Sequence, residues 1–199
     1  MDAITAILAG VGLAAACGLR VFVPMLALSA ACAFGFMEPP AGMKWLDSAT
    51  AVFLFGVATA VEVAAYYVPW LDNALDTITT PGSVVAGTVA VAAMMPDLHP
   101  SVRWSLAVVA GGGAAGIVQT GSVLTRALSG ATTGGIGNPV VSTVELIGSI
   151  LLTILALVLP VIAALLVILL IVWTLRALVR WRRARTTRAC RAVLPDAGA

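Results

Sequence analysis

Residues 139–181 read PVVSTVELIGSILLTILALVLPVIAALLVILLIVWTLRALVRW. As one helix this run would be about 60 Å long, twice the roughly 30 Å of hydrocarbon in a bilayer. Pro160 sits at its middle. Either the helix kinks there and runs on, or two spans meet at a tight turn. The absence of polar flanking residues favours a kink. The length favours two spans, and two are expected here.

The rest of the chain has the same character. Its 199 residues are 61% hydrophobic and 10% charged, with mean hydropathy +1.07. Soluble domains run nearer 45–50% apolar and about 25% charged, so this chain has too little polar side-chain surface to face water. A bilayer satisfies no backbone groups, so only helices or closed barrels cross it. Barrel strands alternate with period two, and these runs do not. The expected class is an all-α, polytopic transmembrane bundle of about five to six spans with broken helices.

Further apolar runs fall at 4–36, 49–68, 83–96 and 102–125. The runs 49–68 and 102–125 each fit one span. Run 4–36 is too long and is divided by Gly18-Leu19-Arg20, with Pro24 just beyond. Gly loosens the backbone and Pro removes a donor, so a broken helix or re-entrant turn is expected there, with Arg20 at the break. Residues 69–82 read as a loop. A six-span count places both termini on one side.

Seven of the eleven Lys and Arg lie between Arg176 and Arg191. This reads as a stop-transfer flank, which makes the C-terminus cytoplasmic in a cell membrane, bacterial and inner. The tail, 182–199, attracts lipid headgroups rather than nucleic acid. Residues 1–181 form one membrane domain. Its halves echo one another: AGVG (9–12) and AGGG (110–113), ALSAA (27–31) and ALSGA (127–131), TAVEV (59–63) and STVEL (142–146). The echoes fit an inverted repeat over 1–97 and 98–181, a common transporter plan. They fit chance matching in Ala/Gly-rich sequence equally well.

Four features could carry chemistry. Arg20 is a guanidinium at a helix break. Glu62 and Glu145 are carboxylates about two turns inside apolar helices. The stretch LSGATTGGIGNPVVSTVE (128–145) carries Asn138-Pro139, with Asn138 as helix cap, and either lines a cavity or makes a surface turn. Asp72 and Asp76, four residues apart, share a face on a helix; they are secondary candidates, more often a solvated face than a cation site. A charge at the bilayer centre costs about 2.5–3.5 kcal/mol on insertion scales. A carboxylate escapes that cost by binding a proton or a cation. Arg20 stays ionised and needs an acid nearby. One glutamate is therefore expected to pair with Arg20, leaving the other as a proton or cation site.

Other motifs carry little. Cys17, Cys32 and Cys190 have no metal or disulfide spacing. Gly112 and Gly116 make a G-x-x-x-G face suited to helix packing. His99 is alone, and no Ser-His-Asp or Cys-His pattern marks an enzyme. No cofactor and no metal are expected. The partners expected are membrane lipids, an unidentified small solute or ion, no nucleic acid, and further copies of the chain. The function expected is a small proton- or cation-linked transporter or ion-conducting protein; the alternative is a non-transporting scaffold or assembly partner.

The order GLRVFVP, VEVAAYYVPWLDNALD, ATTGGIGNPVVSTVE resembles the domain-of-unknown-function 4126 family of bacterial membrane proteins over about residues 8–180. The resemblance implies a polytopic membrane fold and no established activity. It also marks departures. The family pattern commonly has an Asp-Lys pair before the proline matched by Pro69, where this chain has Tyr66-Tyr67. It tends to place a second acid after the glutamate matched by Glu145, where this chain has Leu146.

Overall fold

The computed structural model describes the backbone of residues 3–40, 42–65, 69–95 and 98–193, and their side chains except at 69–74, 76 and 181–193. Among these residues there are eight α-helices and no strands: α1 (Ala3–Leu19), α2 (Phe22–Ala33), α3 (Ala49–Ala64), α4 (Pro69–Ala93), α5 (Pro100–Leu106), α6 (Gly113–Thr133), α7 (Asn138–Val158) and α8 (Pro160–Val193). A π-helical turn, Ala107–Gly112, joins α5 to α6. Among the described residues three stretches are long and apolar enough to cross a membrane: Pro100–Thr133, Asn138–Val158 and Pro160–Arg180.

The small residues of α1 put it at the centre. Ala14, Ala15, Ala16 and Cys17 are fully buried, and α4, α6, α7 and α8 all pack on this helix. Close approach needs missing side chains. A Cβ on Gly87 of α4 would stand 2.6 Å from Ala115 Cβ and 2.8 Å from the Gly111 carbonyl oxygen. The π turn presents two successive residues, Gly111 and Gly112, to α4. This is the small-residue packing that membrane helices use where lipid gives no hydrophobic drive.

The break at Arg20 reverses the chain. The residues after α2, Phe36 and Met37, share a cavity wall with Ala3 and Ile7, so α2 runs back along α1. The pair is a helical hairpin with Arg20 at its tip. Pro160 likewise separates two helices rather than kinking one. The chain breaks at Leu159 (φ −133°, ψ 68°). A Cβ on Gly12 of α1 would meet Ala156 of α7 at 2.8 Å and Ala163 of α8 at 3.2 Å. At the other end of both helices, Val140 and Val144 face Leu170 and Thr174 across one cavity. α7 and α8 are therefore antiparallel.

Several expectations are corrected. α1 and α8 run the same way, from the Gly12–Ala163 contact to the shared wall of Leu19 and Thr174. Residue 3 and residue 180 thus lie at opposite ends of the bundle, not on one side. α1 and α6 also share a direction, since Gly18 abuts Ala115 and Val118 while Leu19 shares a wall with Ser122. The echoed glycine stretches are not inverted. Residues 69–82, read as a loop, begin α4, with Pro81 inside the helix. Pro81 has no N–H to give the carbonyl four residues back, and in the same turn Ser83 Oγ donates to the Thr80 oxygen at 2.9 Å. α8 continues through residue 181 without a break, to Val193.

Candidate functional site

The hairpin tip gathers the buried charge. Pro24 falls in the first turn of α2, where its missing N–H costs no helical bond. The free N–H groups of that turn need acceptors. Val21 and Phe22 donate theirs to the Glu62 carboxylate, at 3.3 Å (Oε1) and 3.4 Å (Oε2). The carboxylate lies at the positive end of the α2 dipole, where an anion is favoured. α3 is otherwise turned outward: among its residues only Ala51 and Glu62 are buried. Glu62 makes no ion pair among the described residues, although Arg20 and Arg126 both lie within Coulombic reach of it.

Glu145 is bound very differently. Its Oε2 accepts from Arg20 Nη2 at 3.0 Å and from Arg126 Nη2 at 2.8 Å. Its Oε1 accepts from Ser122 Oγ. Ser122 also accepts from Arg126 Nη2 at 3.1 Å, one helical turn along α6. Arg20 Nη2 donates in addition to the Ser142 carbonyl at 3.3 Å. One carboxylate thus ties together α1, α6 and α7. Arg20, Glu62, Arg126 and Glu145 are each more than nine-tenths buried. A cavity of about 270 Å³ between α6, α7 and α8 reaches Glu145 and Ser122 between apolar walls of Val118, Val144, Leu170 and Trp173.

The expected trio of Arg20, Glu62 and Glu145 meets in one layer. Glu145 takes Arg20, and Glu62 takes two backbone N–H groups instead. Two side chains were missed. Arg126 lies just past the apolar run that ends at 125, but α6 continues to Thr133. Among the described residues the layer thus holds two guanidiniums, Arg20 and Arg126, and two carboxylates, Glu62 and Glu145. Arg103, at the start of the 102–125 run, is buried in α5. The signal for Arg126 was its i, i+4 spacing from Ser122.

Asn138 does not join this layer. It is the first residue of α7 rather than its cap, and Gly137 precedes it with no side-chain cap bond. The 134–137 stretch is a surface turn, with Gly134 and Gly135 at φ +63° and +92° and Ile136 85% exposed. Asp72 and Asp76 fall one turn apart on α4, but their side chains lie outside those described, as do Tyr66 and Tyr67. Leu146 follows Glu145 on α7 and is half-buried.

No curated protein and no solved structure matches the chain. The family model described as Domain of unknown function (DUF4126) matches residues 7–180, nearly the whole length. The protein belongs to the domain-of-unknown-function 4126 family.

Proposed function

We propose that this protein is a small proton- or cation-linked membrane transporter or ion-conducting protein, with Glu62 as the group that exchanges its proton or cation. One observation carries the reading. Glu62 is a buried carboxylate held by two long backbone N–H contacts and by no ion pair among the described residues, while Glu145 beside it takes two guanidiniums and a hydroxyl. A carboxylate that moves charge must change partners cheaply, and Glu62 is the cheaper of the two to release. A broken helical hairpin carrying polar groups at its tip is the kind of element that transporters use at their binding sites.

In this reading α3, α4, α5–α6, α7 and α8 make five spans around a re-entrant α1–α2 hairpin. The basic C-terminal end faces the cytoplasm of a bacterial inner membrane, and Arg20, Glu62 and Glu145 form the polar centre. The protein is not an enzyme and needs no cofactor. Lipids, an unidentified small solute or ion, and further copies of the chain are its partners.

Reconstitution into liposomes with a pH-sensitive dye inside, screened against small solutes and cations, tests this. Wild type should move protons with one of them, and Glu62→Gln should abolish the movement while keeping the fold. The competing reading, a membrane scaffold or assembly partner, is favoured by the Glu145 clamp, whose joining of three helices is a structural task. Absence of flux from wild type across the whole screen would select it.

A further inference from the structure

Asn138, Ser142, Glu145, Ser149 and Thr153 fall four, three, four and four residues apart on α7. At 100° per residue they make one stripe. Four of them are buried, with Ser142 and Ser149 at 0% and Thr153 at 3% exposure. The stripe faces the α1–α2 hairpin: Ser149 Oγ donates to the Ala16 oxygen at 3.1 Å, and Arg20 reaches the Ser142 carbonyl. It covers about 22 Å of the helix axis.

The hydroxyls on this stripe do not behave like others in the bundle. A Ser or Thr in a membrane helix ordinarily bonds back to the carbonyl four residues earlier. Thr143, on the outer face of α7, does so to Pro139 at 2.7 Å, and Thr59, Thr88, Thr120 and Thr125 do the same. Ser142 Oγ and Thr153 Oγ1, both buried, have no hydrogen-bond partner among the described residues, and neither has the buried Asn138 Oδ1. Leaving a buried polar atom unmet costs about 1–3 kcal/mol. Native proteins meet such atoms with ordered water. Residues at i and i+4 stand about 5–6 Å apart at Cβ, a gap one water bridges. Asn138 and Ser142 form one such pair, Ser149 and Thr153 another, with the Glu145 carboxylate between.

We propose that the inner face of α7 is a one-ended file of water, open toward the α6–α7 turn and ending at Thr153. Gly12, Ala156 and Ala163 close it one turn further on, where methyl groups leave no room for a solvent molecule. The file gives protons and small hydrated cations access to the charged layer from the side of the bundle that carries the basic C-terminal stretch. The file itself rests on the unmet polar atoms. Its use for proton movement rests on the functional reading above.

Silver ion, small and soluble only in water, tests the file without any assay of transport. The three native cysteines are first replaced by alanine. Ser142→Cys, Thr153→Cys, Ala156→Cys and Thr143→Cys are then made singly, each checked by its melting temperature, in vesicles of known orientation. Silver added on the C-terminal side should remove most later maleimide labelling at 142 and 153 and spare 156 and the lipid-facing 143. If 142 and 153 keep their labelling as 156 does, the face is dry and the inference falls. If 153 is blocked only from the opposite side, the assigned opening is wrong. Should Thr153→Cys fail to fold, position 142 alone decides between wet and dry. Silver access in a protein that carries no flux would keep the file and sink the transporter reading; flux without silver access would do the reverse.

Discussion

The guanidinium of Arg126 and the carboxylate of Glu145 meet at 2.8 Å across the antiparallel α6–α7 pair, inside a chain with only nine acidic residues. A buried pair of this kind contributes little net stability relative to an apolar replacement, but removing one partner leaves the other charge uncompensated. Because Arg20 shares the same carboxylate oxygen, loss of Glu145 takes an ionic partner from two guanidiniums at once.

Glu145→Gln should therefore lower stability by about 3–5 kcal/mol, the usual cost of breaking a buried ion pair. Glu62→Gln should cost less, since it breaks no ion pair among the described residues and its amide oxygen still accepts from one of the two N–H groups of Val21 and Phe22. Unfolding of both variants in detergent, followed by helical signal against denaturant, gives the comparison. Equal losses would mean that the two acids are not bound unequally.

Ser122→Ala removes a hydroxyl that donates to Glu145 and accepts from Arg126. Hydrogen bonds to charged groups contribute about 1.5–3 kcal/mol, and a loss of that size is expected. Ser105→Ala is the control, because its exposed hydroxyl bonds only to the Ser101 carbonyl; it should be near neutral.

Gly111→Ala should be strongly destabilising. The new methyl would collide with the Gly87 carbonyl, which belongs to the α4 backbone and cannot rotate away. Overpacking a close contact typically costs 1–3 kcal/mol. Gly113→Ala, with nothing within 4 Å, should be neutral or slightly stabilising. Melting temperatures of the two variants provide the test.

A cysteine at Ile136 should react equally with small and bulky water-soluble thiol reagents, because that residue is 85% exposed in a surface turn. The reaction should occur on the same membrane side as a tag after Ala199 and on the opposite side from a tag at residue 1. Labelling of Ile136→Cys in intact and in opened vesicles decides this. Exclusion of the bulky reagent would place the turn inside a cavity.

Much of this arrangement was legible in the sequence because charge is so scarce in it. Arg20 at the end of a glycine-containing run, and two glutamates in apolar helices, stand out against carbon. The hairpin followed from Gly18, Arg20 and Pro24 together. What was not legible depended on averaging. Arg126 is followed by ALSGATT (127–133), a stretch too mild in hydropathy to read as membrane, although small and hydroxyl residues suit a helix packed against neighbours. Residues 69–82 contain Pro, Gly and three acid or amide side chains, which locally favour a turn; as part of α4 they show tertiary packing overriding that preference. The direction of the first helix is not legible in hydropathy, because a hairpin that enters and leaves by one side adds no crossing and its helices are as apolar as a span.

The hairpin also sets an order of events during synthesis. Arg20 leaves the ribosome 125 residues before Glu145. At about 5–20 residues per second, the interval is on the order of ten seconds. Through that time the newborn α1–α2 pair must carry its guanidinium without the Glu145 carboxylate that the finished bundle gives it. At 12 residues, α2 is about 18 Å long and too short to be held as a span by its own apolar length. The first helices to be made are thus the last to settle, and they settle around the helix that carries their counter-charge.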